Sequence, residues 1–239
     1  KTRISVLPTG LDRVSFQYDE MLSSEIRNMY GNGCPYLFAT TARLEKEKNL
    51  DFLFQGTARL RDILGQDFRL MVIGDGTERR HLEELARMLG ISRQIVFTGK
   101  IENTRVRHYL NAADAFLFAS KSETQGIVLL EAMAAGCPVA AVRASGVVDV
   151  VRQGINGYMT EEAPDAFAAA AARLVLERDV WSGSSEEARK TAELFESGRI
   201  AALAAEQYGL MTGQKEDAGY EEHGKGMLVP SILRLFKAA

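Results

Sequence analysis

Two glutamates, Glu123 and Glu131, stand eight residues apart on either side of the start of an apolar segment. Glu131 has apolar neighbours on nearly every face of the helix expected there, so that helix should be buried. A buried carboxylate costs several kcal/mol unless it is hydrogen-bonded. Two interpretations are open: its partner is a backbone group or an arginine of the protein, or it is a pair of ligand hydroxyls.

The start of this helix is a candidate phosphate site. We expect the helix to begin between Thr124 and Gly126, which leaves its first backbone N–H groups without internal partners. These donors belong to Thr124, Gln125, Gly126, Ile127 and Val128. With the positive end of the helix dipole they favour an anion, and glycine at 126 would let a ligand approach closely. Glutamates on both sides of an anion site fit a nucleotide sugar, with one carboxylate on ribose hydroxyls and the other on sugar hydroxyls.

A basic pair, Arg43 and Lys48, follows an earlier strand-like segment and can converge on one anion. Arginine offers a planar fork of donors and lysine a point charge, a combination that suits a diphosphate. The alternative is a solvated loop in which these cations pair with Glu45 and Glu47. The spacing alone favours that alternative.

Two further strand ends carry weaker signals. Gly74-Asp75-Gly76 lacks the complete glycine fingerprint of dinucleotide-binding proteins, so NAD binding is poorly supported. A tight turn explains these residues about as well as a ligand contact does. Lys100 and Ile101 follow another strand-like segment, where they either line a pocket for a base or belong to a plain loop.

These residues can form one site only if the fold brings the ends of their strands together. Strand-like and helix-like segments alternate between residues 35 and 176, and the strand-like ones are continuous apolar runs, typical of parallel strands covered by helices on both faces. Repeated strand–helix–strand units predict an α/β fold with a doubly wound, Rossmann-like parallel sheet, in which ligands bind beyond the carboxyl ends of the strands. The predicted strands are Tyr36–Thr41, Arg69–Ile73, Ile95–Thr98, Ala115–Phe118 and Val139–Val142.

Composition excludes several classes of protein. The 239 residues are 46% hydrophobic with a net charge of −3, which argues against extensive disorder and against a nucleic-acid binder. The two cysteines, Cys34 and Cys137, have no metal-type spacing. We therefore expect neither a disulfide scaffold nor a zinc site, and a reducing compartment is favoured. No apolar stretch is long enough to span a membrane.

The two ends of the chain are organised differently from its centre. We expect one domain over residues 1–211, followed by a polar linker and an amphipathic helix within residues 212–239. The apolar piece Met227–Ala239 either packs on a protein surface, which we favour, or binds a membrane surface. Because the first residue is lysine, we expect a piece of a longer protein, and targeting signals cannot be judged.

Together these motifs resemble the retaining glycosyltransferases of family 4 (group 1), which have the two-domain GT-B architecture. The stretches that carry the resemblance occur in the family's order and cover roughly residues 4–178. They are Leu7–Asp12, Arg43–Lys48, Val72–Gly76, Val96–Gly99, Ala113–Asp114, Ser122–Gly136, Pro138–Val139 and Gly154–Tyr158.

The resemblance implies that this chain is the carboxyl-terminal half of such an enzyme and binds a nucleotide-diphospho-sugar. A UDP-sugar is the expected donor, with GDP- and ADP-sugars as alternatives. Arg43 and Lys48 match the pair that stabilises the diphosphate leaving group, and Glu123 matches the glutamate on the donor sugar. These three are the expected catalytic residues. Glu131 matches the glutamate that holds the ribose.

The resemblance also assigns the backbone of residues 124–128 to the phosphates and the sugar, and Lys100 and Ile101 to the base. Family members retain the sugar's configuration and generally need no metal, and this sequence has no Asp-x-Asp motif. We therefore expect a metal-independent hexosyltransferase without a further cofactor. Ala42 replaces the family's usual glycine before Arg43, which makes the approach of a phosphate to the backbone tighter there.

The family's amino-terminal domain, which binds the acceptor, is absent from this sequence, so the isolated chain should transfer slowly or not at all. The acceptor, a glycan or a lipid, stays open, as do the sugar, the base and the oligomeric state. The cytoplasm is the expected location, with membrane association of the longer protein as an alternative. Two other functions stay open: a nucleotide-sugar epimerase or phosphorylase, and a non-catalytic nucleotide-sugar-binding module.

Overall fold

The computed structural model describes residues 7–12 and 19–212, and a six-stranded sheet lies at its centre. The strands are β1 (Tyr36–Thr41), β2 (Phe68–Ile73), β3 (Ile95–Gly99), β4 (Ala115–Phe118), β5 (Val139–Val142) and β6 (Gly157–Thr160). Neighbouring strands are parallel throughout, in the order β3-β2-β1-β4-β5-β6. The predicted doubly wound parallel sheet is confirmed.

The sequence does not predict β6. This strand lies at the edge of the sheet, and three of its four residues are only half-buried, so it lacks the continuous apolar run of the inner strands. It runs very close to β5: a Cβ on Gly157 would lie 2.2 Å from the carbonyl oxygen of Val139. Glycine at this position lets the edge strand pair with β5.

Nine α-helices connect and cover the strands in the described residues. They are α1 (Glu20–Gly31), α2 (Leu50–Leu64), α3 (Arg79–Met88), α4 (Asn103–Asn111), α5 (Ile127–Ala134), α6 (Ser145–Val148), α7 (Pro164–Leu176), α8 (Arg178–Leu194) and α9 (Ser197–Thr212). A 3₁₀ turn, Lys46–Lys48, precedes α2.

The two faces of the sheet are buried in separate hydrophobic clusters. Along β1, Leu37 and Ala39 pack into the cluster that includes residues of α5 and α8, whereas Phe38 packs into the cluster that includes residues of α2 and α7. All three side chains are fully buried. Each large side chain buried in this way stabilises the fold by roughly 1.5–3 kcal/mol. Burial on both faces explains why the inner strands are apolar at every position.

The strand order reverses between β1 and β4. From β1 the chain continues to β2 and β3 on one side, and from β4 to β5 and β6 on the other. The loops that follow β1 and β4 therefore diverge, and they leave a crevice at the carboxyl ends of the two strands. Arg43 and Lys48 come after β1, and Glu123 comes after β4, so the fold places these candidate residues at the crevice.

The short segment of residues 7–12 lies beside the junction of α8 and α9. The amide of Leu11 donates to the carbonyl of Phe195 at 2.7 Å, and the amide of Ser197 donates back to the carbonyl of Leu11 at 2.9 Å. These two bonds fix the segment against the helical end of the domain.

The last helix of the described residues is α9, Ser197–Thr212. The rest of the predicted linker, with the amphipathic piece Met227–Ala239, lies outside the described residues. Within the described part of the chain, no helix is both long and apolar enough to cross a membrane.

Candidate functional site

The loop after β1 packs tightly against the turn after β2. A Cβ on Gly74 would lie 2.0 Å from the carbonyl oxygen of Ala42, and one on Gly76 would lie 2.5 Å from that of Leu44. The amide of Leu44 also donates to the carbonyl of Asp75 at 3.1 Å. Gly74-Asp75-Gly76 therefore serves the contact between two loops, which favours the turn interpretation of this motif over a direct role in binding.

Arg43 lies on the surface of the crevice. Its side chain is 77% exposed, and its Nη2 lies 3.6 Å from Oε1 of Glu47, four residues later in the chain. The carboxylate of Glu45 accepts hydrogen bonds from the hydroxyl (2.7 Å) and the amide (3.3 Å) of Thr77, and these bonds, with a smaller effect of the charge of Arg43, lower its pKa. The charged-loop alternative is thus realised in part, through Glu47. An exposed pair of this kind contributes little, so a phosphate can compete for Arg43.

Lys48 closes the 3₁₀ turn and is half-buried. It forms no ion pair with any carboxylate in the described part of the chain. The following residue, Asn49, links this loop to the other side of the crevice, since its Nδ2 donates to the carbonyl of Ala119 at 3.2 Å. Ser120 and Ser122 make a second link, because both hydroxyls donate to the carbonyl of Glu47, at 3.4 and 3.5 Å.

Glu123 shapes the loop between β4 and α5. Its Oε1 accepts hydrogen bonds from the amides of Gln125 (3.1 Å) and Gly126 (2.8 Å). Its carbonyl oxygen accepts hydrogen bonds from the amide of Gly146 (3.0 Å) and the hydroxyl of Ser145 (3.1 Å). Glu123 therefore holds its own loop and ties that loop to the one after β5. Its Oε2 forms no hydrogen bond within the described residues.

The helix α5 begins at Ile127, with Gly126 as its N-cap. The structure differs here from the prediction of five free amides, because those of Gln125 and Gly126 donate to Glu123. The amides of Thr124, Ile127 and Val128 have no partner in the described part of the chain. Three donors thus remain at the positive end of the helix, where an anion is favoured.

Glycine is needed at position 126 for a structural reason that the sequence does not reveal. Its φ is +69°, a left-handed conformation that favours glycine. A Cβ at this position would lie 2.8 Å from the carbonyl oxygen of Gly146 and 2.9 Å from Cγ2 of Val150. The close approach that requires glycine is therefore that of the loop and helix after β5.

Glu131 lies four residues into α5 and is half-buried. Burial raises the pKa of its carboxyl group above the usual value for a glutamate. Within the described residues, its side chain forms no hydrogen bond or ion pair. Of the two interpretations of this carboxylate, a partner within the protein and a ligand hydroxyl pair, the described structure offers no example of the first.

Lys100 and Ile101 lie beyond the carboxyl end of β3. The lysine is exposed, and the isoleucine is half-buried against the hydrophobic cluster that also contains Leu129 and Leu130 of α5. A half-buried apolar side chain and a cation next to it are compatible with either a base pocket or a plain loop.

Sequence reasoning missed one carboxylate near the crevice, Glu162. It follows β6, and it accepts hydrogen bonds from Nζ of Lys121 at 2.7 Å and from Nδ2 of Asn49 at 2.8 Å. These bonds lower its pKa. Glu162 joins the loops after β1, β4 and β6. The sequence does not point to this glutamate because it does not predict β6, the strand that places it. In the described residues, no group of three His, Cys, Asp or Glu side chains could hold a metal ion.

Two curated relatives show which proteins this chain is similar to. Alpha-monoglucosyldiacylglycerol synthase of Streptococcus pneumoniae is 35% identical over 148 residues, which are 59% of this chain and 33% of that protein. D-inositol 3-phosphate glycosyltransferase of Acidothermus cellulolyticus is 30% identical over 72% of this chain and 40% of that protein. The chain spans less than half the length of these curated relatives.

Solved structures share the fold. HepE of Anabaena in complex with UDP superposes with a TM-score of 0.79 and 21% identity, over 86% of this chain and 57% of that one. The carboxyl-terminal domain of LpcC, a group 1 glycosyl transferase from Francisella tularensis, has a TM-score of 0.67 and 22% identity, over 77% of this chain and 97% of that one. Both structures therefore share the fold described above.

The family model that matches describes glycosyl transferases group 1, and it covers residues 25–195. This range begins within α1 and ends just after α8, so it contains the whole sheet and every candidate residue at the crevice. The chain belongs to the glycosyl transferases group 1 family.

Proposed function

We propose that this chain is the donor-binding domain of a retaining, metal-independent glycosyltransferase. It binds a nucleotide-diphospho-sugar, with a UDP-sugar as the donor, and the hexose passes to a glycan or lipid acceptor held by a domain outside this sequence. The observation that carries the proposal is Glu131: a half-buried carboxylate, unpartnered in the described residues, on a helix whose first amides are free.

The free amides at the start of α5 and the basic pair, Arg43 and Lys48, bind the diphosphate together. The amides of Thr124, Ile127 and Val128 offer fixed donors at the positive end of the helix dipole. Arg43 adds a planar fork and Lys48 a point charge. As the bond to the sugar breaks, negative charge grows on the diphosphate, and these preorganised donors stabilise it without a cation.

The two glutamates take hydroxyls at the two ends of the donor. Glu131 accepts the ribose hydroxyls, because two hydroxyls satisfy a carboxylate that has no protein partner. Glu123 receives the sugar on Oε2, while Oε1 continues to hold the loop. The base then lies towards Lys100 and Ile101, beyond β3.

Uracil is the base that we propose. HepE of Anabaena has been crystallised with UDP, with UDP and glucose, and with UDP-glucose, and pneumococcal GtfA with UDP and GlcNAc. GDP and ADP remain the alternatives. The two cysteines in the described part are free thiols, which agrees with the proposed cytoplasmic location.

Calorimetric titration of UDP, GDP and ADP into this chain, in EDTA, tests the proposal. We expect UDP to bind without a metal, and Glu131→Ala to weaken that binding. Glu84→Ala is the matched control, because Glu84 is exposed on α3 and pairs only with Arg80 in the described structure. If none of the three diphosphates binds to the folded chain, or if both variants bind equally well, the proposed donor site is wrong.

Transfer itself is tested on the longer protein. We expect sugar transfer with retained configuration, and no transfer by this chain alone. Release of the sugar without any dependence on Arg43 or Glu123 would contradict the catalytic roles. Nucleotide-sugar binding with neither transfer nor hydrolysis would instead support the non-catalytic binding module.

A further inference from the structure

The segment of residues 7–12 reaches the loop that precedes α5. The hydroxyl of Thr9 donates a hydrogen bond to Oε1 of Gln125, 116 residues later in the chain. Gln125 comes directly before Gly126, the N-cap of α5, and so belongs to the loop whose amides form the candidate anion site. A part of the chain that is remote in sequence is therefore attached to this loop.

Two contacts hold the segment itself against the helical end of the domain. Leu11 is buried and exchanges two backbone hydrogen bonds with Phe195 and Ser197, at the junction of α8 and α9. Gly10 lies so close to this junction that a Cβ on it would be 2.8 Å from Cα of Ser197. Because the residues after Thr9 are fixed by these contacts, its hydroxyl loses little further freedom when it binds Gln125.

The other attachments of the loop all go through Glu123. Its Oε1 accepts the amides of Gln125 and Gly126 from within the loop. Its carbonyl oxygen binds Gly146 and Ser145, in the loop after β5. Thr9 adds an attachment at a different residue, since it binds the side chain of Gln125. This bond restricts the backbone next to Thr124, whose amide is one of the three free donors.

We propose that Thr9 is a positioning residue of the donor site. Its hydrogen bond to Gln125 holds the loop before α5 in the shape in which the amide of Thr124, with those of Ile127 and Val128, receives the diphosphate. A group that is already ordered before the ligand arrives binds it at a smaller entropic cost. The role in diphosphate binding rests on the function proposed above, whereas the attachment of the loop does not.

Amide exchange in the chain without nucleotide tests the attachment. Thr9→Val keeps the shape of the side chain and removes its hydroxyl. The amide of Gly126, which donates to Glu123 within the loop, should then exchange with solvent severalfold faster, as measured by NMR. Thr9→Ser keeps a hydroxyl and should restore the slower exchange. Gly10→Ala should act as Thr9→Val does, because the added Cβ displaces the segment from Ser197.

Calorimetry tests the role in binding. UDP should bind Thr9→Val and Gly10→Ala roughly two- to tenfold more weakly, the scale of one hydrogen bond between neutral groups. Uridine has no diphosphate and should bind these variants as it binds the unchanged chain. In Gln125→Leu, which has no side-chain acceptor, Thr9→Val should cause no further loss. Gly183→Ala on α8 is the matched control for Gly10→Ala, since its Cβ would meet nothing within 4 Å, and it should change neither exchange nor affinity.

The outcomes separate this proposal from the proposed function. Unchanged exchange at Gly126 in Thr9→Val would show that Thr9 does not hold the loop. Faster exchange with an unchanged affinity for UDP, or equal losses for UDP and uridine, would overturn the positioning role. Failure of UDP to bind the unchanged chain would instead overturn the proposed donor site, and the exchange at Gly126 would still decide whether Thr9 holds the loop.

Discussion

Replacing Glu131 with glutamine is the sharpest test of how this domain holds a nucleotide. Glutamine keeps the size of the side chain but removes the charge and one acceptor. The carboxylate has no partner in the described protein, so the bonds it gains are those to the ligand. Hydrogen bonds to a charged group contribute about 1.5–3 kcal/mol, so Glu131→Gln should weaken UDP roughly ten- to hundredfold.

A nucleotide that lacks one ribose hydroxyl tests whether Glu131 contacts the ribose directly. If Glu131 accepts the 2′-hydroxyl, then 2′-deoxy-UDP should bind the unchanged chain more weakly than UDP does. Glu131→Gln should weaken this nucleotide less than it weakens UDP, because the bond to the 2′-hydroxyl is already absent and only the bond to the 3′-hydroxyl remains to be lost. Calorimetry on the four combinations of chain and nucleotide measures the coupling. Additive losses would show that Glu131 and the ribose do not touch.

Stability should change in the opposite direction from binding. Burial raises the pKa of Glu131 in the folded chain above its unfolded value, so the folded state binds more protons between these two pKa values. The glutamate therefore lowers stability as pH rises through that window, and it is most costly at neutral pH. Thermal unfolding should show Glu131→Gln at least as stable as the unchanged chain at pH 7. The difference should shrink on acidification.

The same ionisation governs binding, because a protonated carboxyl accepts fewer hydroxyls. UDP itself titrates near pH 6, so the useful quantity is the ratio of the two chains' affinities at each pH. That ratio should fall towards one as Glu131 becomes protonated. Lower stability together with weaker binding in Glu131→Gln would refute the reasoning, since Glu131 would then hold the fold. Glu84→Gln on exposed α3 should change neither property.

Three further predictions concern the loops of the crevice. Arg43→Gln should weaken UDP more than uridine, and equal losses in calorimetry would remove Arg43 from the diphosphate. Glu47→Gln should strengthen UDP by about twofold, because it frees Arg43 from an exposed pair 3.6 Å away. A weaker complex would show that the pair positions Arg43. Gly126→Ala should destabilise the domain by more than about 1–2 kcal/mol in denaturant unfolding. Gly33→Ala has a similar φ of +77° but nothing within 4 Å of the added Cβ, so a loss as large there would leave no role for the Gly146 contact.

The sheet could be predicted because its inner strands have no exposed face. Phe38 packs into one hydrophobic cluster and its neighbours Leu37 and Ala39 into the other, so every position of the strand is apolar, as expected of a parallel strand covered on both faces. The edge strand β6 could not be predicted by the same rule. Met159 and Thr160 are half-buried, and the strand is recognisable only through the close passage of Gly157 beside β5.

The elements that carry the candidate residues could be predicted from the sequence, but the hydrogen bonds of these residues could not. The spacing of Glu123 and Glu131 placed one at a loop and the other inside a helix, as the structure has them. That Glu123 accepts two amides of its own loop depends on local backbone geometry, for which the sequence has no signal. Glu162, which holds Lys121 and Asn49, depends on three strands meeting at one edge, and only the fold reveals that.

The charges along α3 and those at the crevice differ in their pairing. On α3, Arg79 pairs with Glu83 and Arg80 with Glu84, so those charges are satisfied within one helix. At the crevice, where the strand order reverses, several groups have no such partner in the described structure. They are Lys48, Glu131 and the first amides of α5. Desolvated groups without partners lower stability, and such groups cluster at functional sites, which agrees with the donor site proposed above. A variant in which a protein side chain donates a hydrogen bond to the carboxylate of Glu131 should therefore be more stable and bind nucleotide less well. This is the trade-off between stability and activity expected of a binding site.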